Sequence, residues 1–171
     1  MRLKMFLQGA MVGSPDTLMR DDLRALGVIP NTEPYTDLPH FLHIGDGGGE
    51  TVNPIVFDVT GPDAIVDWVF VEIRSAIKND SIIGTRAALL QRDGDIVDID
   101  GISPVKFGVV QPGSYNVAIR HRNHLGAMTR RTRLLTEDPG SSKIDFADLA
   151  KQSNSHTTGG LLANNLSLIH I

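Results

Sequence analysis

Residues 65–73 read Ile-Val-Asp-Trp-Val-Phe-Val-Glu-Ile, and this stretch decides the fold. β-branched and aromatic residues dominate it, which suits a pleated, packed surface. At period two, Val66, Trp68 and Phe70 fall on one side and Val69, Val71 and Ile73 on the other. A strand that is apolar on both sides is covered on both, so 65–73 reads as a central strand. Asp67 and Glu72 lie near its ends, where a carboxylate is expected to reach water. Trp68 is the one tryptophan of the chain and reads as a buried anchor rather than a sugar-stacking platform.

Outward from this strand, turns and strands alternate. Lys78 to Ser81 turns the chain into a strand over 82–91, and Asp93-Gly94 is a hairpin signal. Ile96, Val97 and Ile99 form the returning strand. After Pro112-Gly113, Tyr115, Val117 and Ile119 alternate in another strand, expected to pack across a sandwich on Trp68 and Phe70. A basic strand follows over 129–135, and a last short strand over 144–146. Upstream, Leu3, Met5 and Leu7 alternate as a first strand. Asp16 or Thr17 caps a short helix that ends at Gly27. Residues 32–54 form a long loop containing Gly45-Asp46-Gly47-Gly48-Gly49-Glu50, and 55–59 a short strand. No Lys-Ser/Thr follows those glycines, so a flexible surface loop is expected there rather than a nucleotide site. Strands recurring roughly every ten residues without long helices imply a mainly β protein. The expected architecture is an antiparallel β-sandwich, Ig-like or transthyretin-like, with one short helix and long loops.

The 171 residues suit one domain, with a module over 1–150 and a Ser-, Thr-, Gly- and Asn-rich linker over 151–165. The last six residues, 166–171, resemble the in-frame translation of a transposase mosaic-end adapter used in sequencing libraries and are set aside from fold reasoning. Hydrophobic content of 41% and charged content of 21% are those of a globular chain. A net charge of −4 with few aromatics argues against nucleic-acid binding. No apolar run is long enough for a membrane span. The absence of cysteine excludes disulfides, thiolate metal sites and cysteine nucleophiles.

Several segments together resemble one group of sequences: FLQGA, Leu23 to Tyr35 with its TEPY ending, GDGGGE, AIVDWVFVEIR, TRAALLQRDGDIVDIDG and SYNVAIRHRNHLGAMT. They look like a module near the C-terminal end of large secreted or cell-surface, adhesin-like bacterial proteins. In such chains Asp- and Gly-rich, dockerin-like segments follow the module. The resemblance spans about Leu3 to Phe146 and implies export, an extracellular or cell-surface location and neighbouring domains in one chain. It brings no established activity and no calcium ligand.

His121-Arg122-Asn123-His124 is the most chemically suggestive cluster. Three residues apart on a strand means opposite faces, so joint metal ligation by His121 and His124 needs the chain to turn between them, and zinc needs a third ligand. A polar network pairing these donors with an Asp or Glu of a neighbouring turn is the expected reading. Ligand contact by Tyr35, His121, Arg122, Asn123 and His124 is the alternative, with Tyr35 read as the more exposed aromatic. Asp93, Asp95, Asp98 and Asp100 are weak candidates for calcium, since their spacing departs from the EF-hand and turn formation explains most of them. Arg130, Arg131 and Arg133 suit an acidic polymer or the wet side of an edge strand. No G-x-S-x-G or H-E-x-x-H is present. The expected function is a non-catalytic structural or assembly module without a cofactor. The alternative is a glycan or surface-ligand binding module, and a metal-dependent hydrolase is third.

Overall fold

The structure, a computed structural model, describes residues 1–11, 18–138 and 140–147. The expected helix cap at Asp16 or Thr17, the linker and the tail lie outside these residues. Among them are eight strands: β1 (Arg2–Lys4), β2 (Ile65–Ser75), β3 (Ile82–Gln91), β4 (Asp95–Val97), β5 (Gly113–His121), β6 (His124–Met128), β7 (Arg133–Leu135) and β8 (Lys143–Asp145). Two one-turn helices, α1 (Gln8–Met11) and α2 (Asp22–Ala25), and a 3-10 helix over Pro54–Asp58 complete the elements.

The chain is mainly β, as the sequence implied. Its strands form one sheet in the order β6-β5-β2-β3-β4-β1-β8, with β7 also on β5. This is a mixed sheet, antiparallel except where β1 runs parallel to β8, and it curls into a half-barrel. Two facing sheets of the Ig-like kind are not what these pairings give. The first strand ends at Lys4 and the chain turns into α1, so the alternation of Leu3, Met5 and Leu7 continues as packing rather than as a strand. Residues 55–59, expected to be a strand, lie largely in the 3-10 helix. Pro54 begins that helix, and the Asn53 side chain accepts the Ile55 N–H at its start.

The central strand is β2, between β3 and β5, and it is buried on both faces. Val69, Val71 and Ile73 point inward with Val117 and Ile119 of β5, Leu90 of β3, Ile96 of β4, Leu3 of β1 and Ile144 of β8. Only the concave side of a curled sheet can gather residues from strands so far apart in its order. Trp68 and Phe70 face outward beneath Ile29, Tyr35, Phe41, Val52 and Val56, supplied by the long 29–57 segment. Full burial of each large side chain contributes about 1.5–3 kcal/mol.

Tyr115, Val117 and Ile119 therefore do not pack on Trp68 and Phe70. Register explains why: Val71 faces Ile119 and Ile73 faces Val117, while Phe70 faces Arg120. Residues directly opposite in an antiparallel pair share a face. Val66 also leaves the side of Trp68. Between Ile65 and Asp67 the register with β3 shifts by one residue, and the bulge sends Val66 into the concave core.

The glycine-rich loop does structural work at the β3 edge. Among the described residues β4 covers only Leu89 and Leu90, leaving the outer edge of β3 near residues 85–87 without a strand. Ile44 O accepts the Thr85 N–H at 2.9 Å, and Glu50 Oε1 accepts the Ala87 N–H at 3.2 Å. Gly47 lies so close to the Thr85 carbonyl that any side chain there would collide with backbone.

Candidate functional site

The HRNH cluster is the hairpin between β5 and β6. His121 and His124 form its last cross-strand pair, so the turn brings the two rings to one face. Their ring centroids are 4.8 Å apart. The expectation that a three-residue spacing separates them applies to a straight strand, and this chain reverses at Arg122-Asn123.

The partner of the cluster is Asp67, from the central strand. His121 Nε2 lies 3.1 Å from Asp67 Oδ2, and one Arg122 nitrogen, Nη2, donates to both carboxylate oxygens at 2.8 Å. The Trp68 N–H donates to Asp67 Oδ1 at 2.8 Å. Burial disfavours the Asp67 charge, but the His121 hydrogen bond and the Arg122 charge outweigh it and hold its pKa below the ordinary 3.8. On the far side of the His121 ring, Nδ1 accepts the Asn123 N–H at 3.0 Å and sits 3.0 Å from His124 Nδ1. Burial, then the neighbouring His121, pushes the His124 pKa down from 6.5. The network expected from sequence is present, but its carboxylate comes from a strand rather than from a neighbouring turn.

A second ionic cluster lies on the outward face of the same two strands. Glu72 Oε2 accepts from Arg74 Nε at 2.7 Å, and Glu72 Oε1 accepts from Arg120 Nη1 at 3.0 Å. Arg120 also lies over the Phe41 ring, 4.3 Å from its centroid. Asp67 and Glu72 do not reach water: their side chains are 3% and 0% exposed.

Tyr35 is not the exposed aromatic expected. It is fully buried, its hydroxyl donates to Trp68 O at 2.8 Å, and burial raises its pKa. Trp68 Nε1 donates to Pro30 O at 2.9 Å, so two bonds pin the 30–35 loop to β2. Glu33 completes this clamp by accepting the Tyr35, Thr36 and Gly49 N–H groups and the Thr36 hydroxyl. Burial opposes its charge, but these bonds keep its pKa below 4.5. Of the five tentative ligand residues, the structure groups His121, Arg122, Asn123 and His124 with Asp67 and places Tyr35 on the outward core.

The four aspartates do not converge. Asp93 Oδ1 accepts the Asp95 N–H and Asp95 pairs with Lys4. Asp98 takes Arg86 at 2.6 Å and the Ile99 and Lys106 N–H groups, whereas Asp100 accepts from Ile102 and Ser103. Among the described residues no group of three or more His, Asp or Glu is placed to hold a metal ion, and no helix is long and apolar enough to cross a membrane.

The residues that sequence reasoning missed are Asp67, Glu72, Glu33 and Glu50. A signal for the first two was present: two carboxylates inside an otherwise apolar central strand require buried cations, and Arg120-His121-Arg122 at the end of another buried strand supplies them. Open clefts lie away from the cluster. One, of about 440 Å³, is lined by Val105, Phe107, Val110 and Leu135 among others. Another, of about 420 Å³, is lined by Asn79, Asn116, Thr129, Arg130 and Thr132 with Ile77 and Met128. Comparison with family models, with curated proteins and with solved structures finds no match.

Proposed function

We propose that this chain is a non-catalytic structural or assembly module of an exported bacterial multidomain protein, standing at the cell surface or outside the cell between neighbouring domains. The observation that carries this reading is the use of the reactive side chains. Asp67, His121 and Arg122 bind one another, Glu72 binds Arg74 and Arg120, and Glu33 binds loop backbone. Groups arranged in this way fasten loops and a hairpin to a central strand. The resemblance to adhesin-like bacterial modules supplies the cellular context.

A glycan-binding role is favoured by one feature, the cleft lined by Asn79, Asn116, Thr129, Arg130 and Thr132. Its amides, hydroxyls and guanidinium match the hydroxyl groups of a sugar. A glycan array probed with the purified module separates the two readings. The structural reading expects no saturable binding. Saturable binding that is lost in Arg130→Ala, with the fold intact by circular dichroism, would replace it with the binding reading.

A further inference from the structure

We propose that Asp67, His121 and His124 form an acid-released latch that holds the β5–β6 hairpin shut at neutral pH and frees it in mild acid. The argument begins with the one donor whose role is fixed. A backbone N–H can only donate, so the Asn123 amide, 3.0 Å from His121 Nδ1, makes that nitrogen an acceptor. His121 then carries its proton on Nε2 and gives it to Asp67. Arg122 balances the Asp67 charge through two 2.8 Å contacts. His124 Nδ1, 3.0 Å from the same His121 Nδ1, must be the donor of that pair. Its proton is therefore on Nδ1, and its Nε2 lone pair lies against Gly9 of α1.

Acid changes this in two steps. One proton can enter at His124 Nε2 without disturbing the shared bond. A second proton, on His121 Nδ1, would set an N–H against the Asn123 N–H and the His124 N–H. With the hairpin closed there is room for one proton on the pair; with it open both rings take one. The closed form therefore loses ground as pH falls below the ordinary histidine range, by about tenfold per unit once both open-state rings are charged.

Among the described residues, the groups facing the pair from the packed elements are few. Asp67 comes from β2, Arg122 from the turn itself and the Tyr35 hydroxyl from the outer loop, while α1 contributes the uncharged Gly9. Burial pushes the Tyr35 hydroxyl up, away from mild acid, and Asp67 remains ionised well below that range. The element released is an edge strand among the described residues: there β6 pairs with β5 alone, through Ala118 with Met128, Ile119 with Ala127 and His121 with His124. Opening it uncovers the edge of β5 beside α1.

Amide exchange by NMR, corrected for the intrinsic pH dependence of exchange, tests this at the Asn123 and Thr129 amides, the latter bonded to Val117 O. Between pH 7.5 and 5.5 the opening constant is expected to rise about tenfold in the wild type. It is expected to rise less in His121→Gln, whose amide can donate to Asp67 and accept from Asn123 but cannot take a proton, the remaining rise coming from the buried His124. A level wild-type profile, or an equal rise in the variant, would overturn the latch. Nitrogen-15 shifts of the wild-type rings decide the matter independently of the variant. At pH 7.5 they should show Nε2–H at His121 and Nδ1–H at His124, and an imidazolium at His121 under those conditions refutes the proposal.

Discussion

Asp67 and Glu72 sit five residues apart on β2 and face opposite sides of the sheet. Both are buried carboxylates, both draw cations from β5 or its turn, and each holds two side-chain partners. Their partners differ in kind. Glu72 is bound by two guanidiniums, Arg74 and Arg120. Asp67 is bound by one guanidinium and one imidazole, and the imidazole leads through His124 to α1. The same carboxylate chemistry thus makes a permanent clamp on the outward face and a proton-responsive one at the lower end of the hairpin.

The largest effect is expected where charge is most deeply buried. Glu72→Gln leaves Arg120 uncompensated beneath the Phe41 ring and should cost about 3–5 kcal/mol in urea unfolding. Asp67→Asn also strands a cation, but Arg122 is 22% exposed against 8% for Arg120 and can turn to water. A loss of about 2–3 kcal/mol is expected there, and a loss equal to that of Glu72→Gln would erase the contrast between the two sites.

Acid should sharpen it. The His124 pKa is lower in the fold than its ordinary 6.5, so the stability it contributes is complete above about pH 6.5 and declines as pH falls below it. The Asp67 pKa is also lowered, from 3.8, so its contribution is lost only in a second window below that value. Denaturation midpoints should fall as pH goes from 7.5 to 5.5, with partial exposure of His124 screening the effect. The same measurement on His124→Gln should be flatter. Lys4 and Asp95 mark the lower bound. They are an ion pair at 3.6 Å with both side chains at least 36% exposed, and Lys4→Ala should change stability by about 0.5 kcal/mol or less.

Much of the strand content was legible. The 82–91 strand, the Asp93-Gly94 hairpin and the strand ending at His121 follow from alternation and turn chemistry, and Gly94 does adopt the positive φ of 93° that such a turn requires. The loop elements were less so. Residues 55–59 carry apolar side chains at strand-like density, but a proline and an asparagine cap turn them into a 3-10 helix. The basic run from Arg130 reads as one strand, yet pairing with β5 begins only at Arg133. Thr129 is already bonded to Val117, so residues 130–132 step away from the edge before β7 returns to it.

The sequence by itself determined that this is a mainly β protein organised on residues 65–73, because local alternation and β-branched content act over a few residues. It placed Asp67 and Glu72 near the ends of that strand, where water is expected to reach them. Only the tertiary structure decided which cations answer them. His121 is 54 residues from Asp67 and Arg120 is 48 from Glu72, and no local rule pairs groups across such separations. It likewise decided that one curled sheet, not two, encloses the core. That outcome rests on β1 joining β4 and β8, pairings across most of the chain, and on a one-residue bulge at Val66 that moves a side chain from one core to the other.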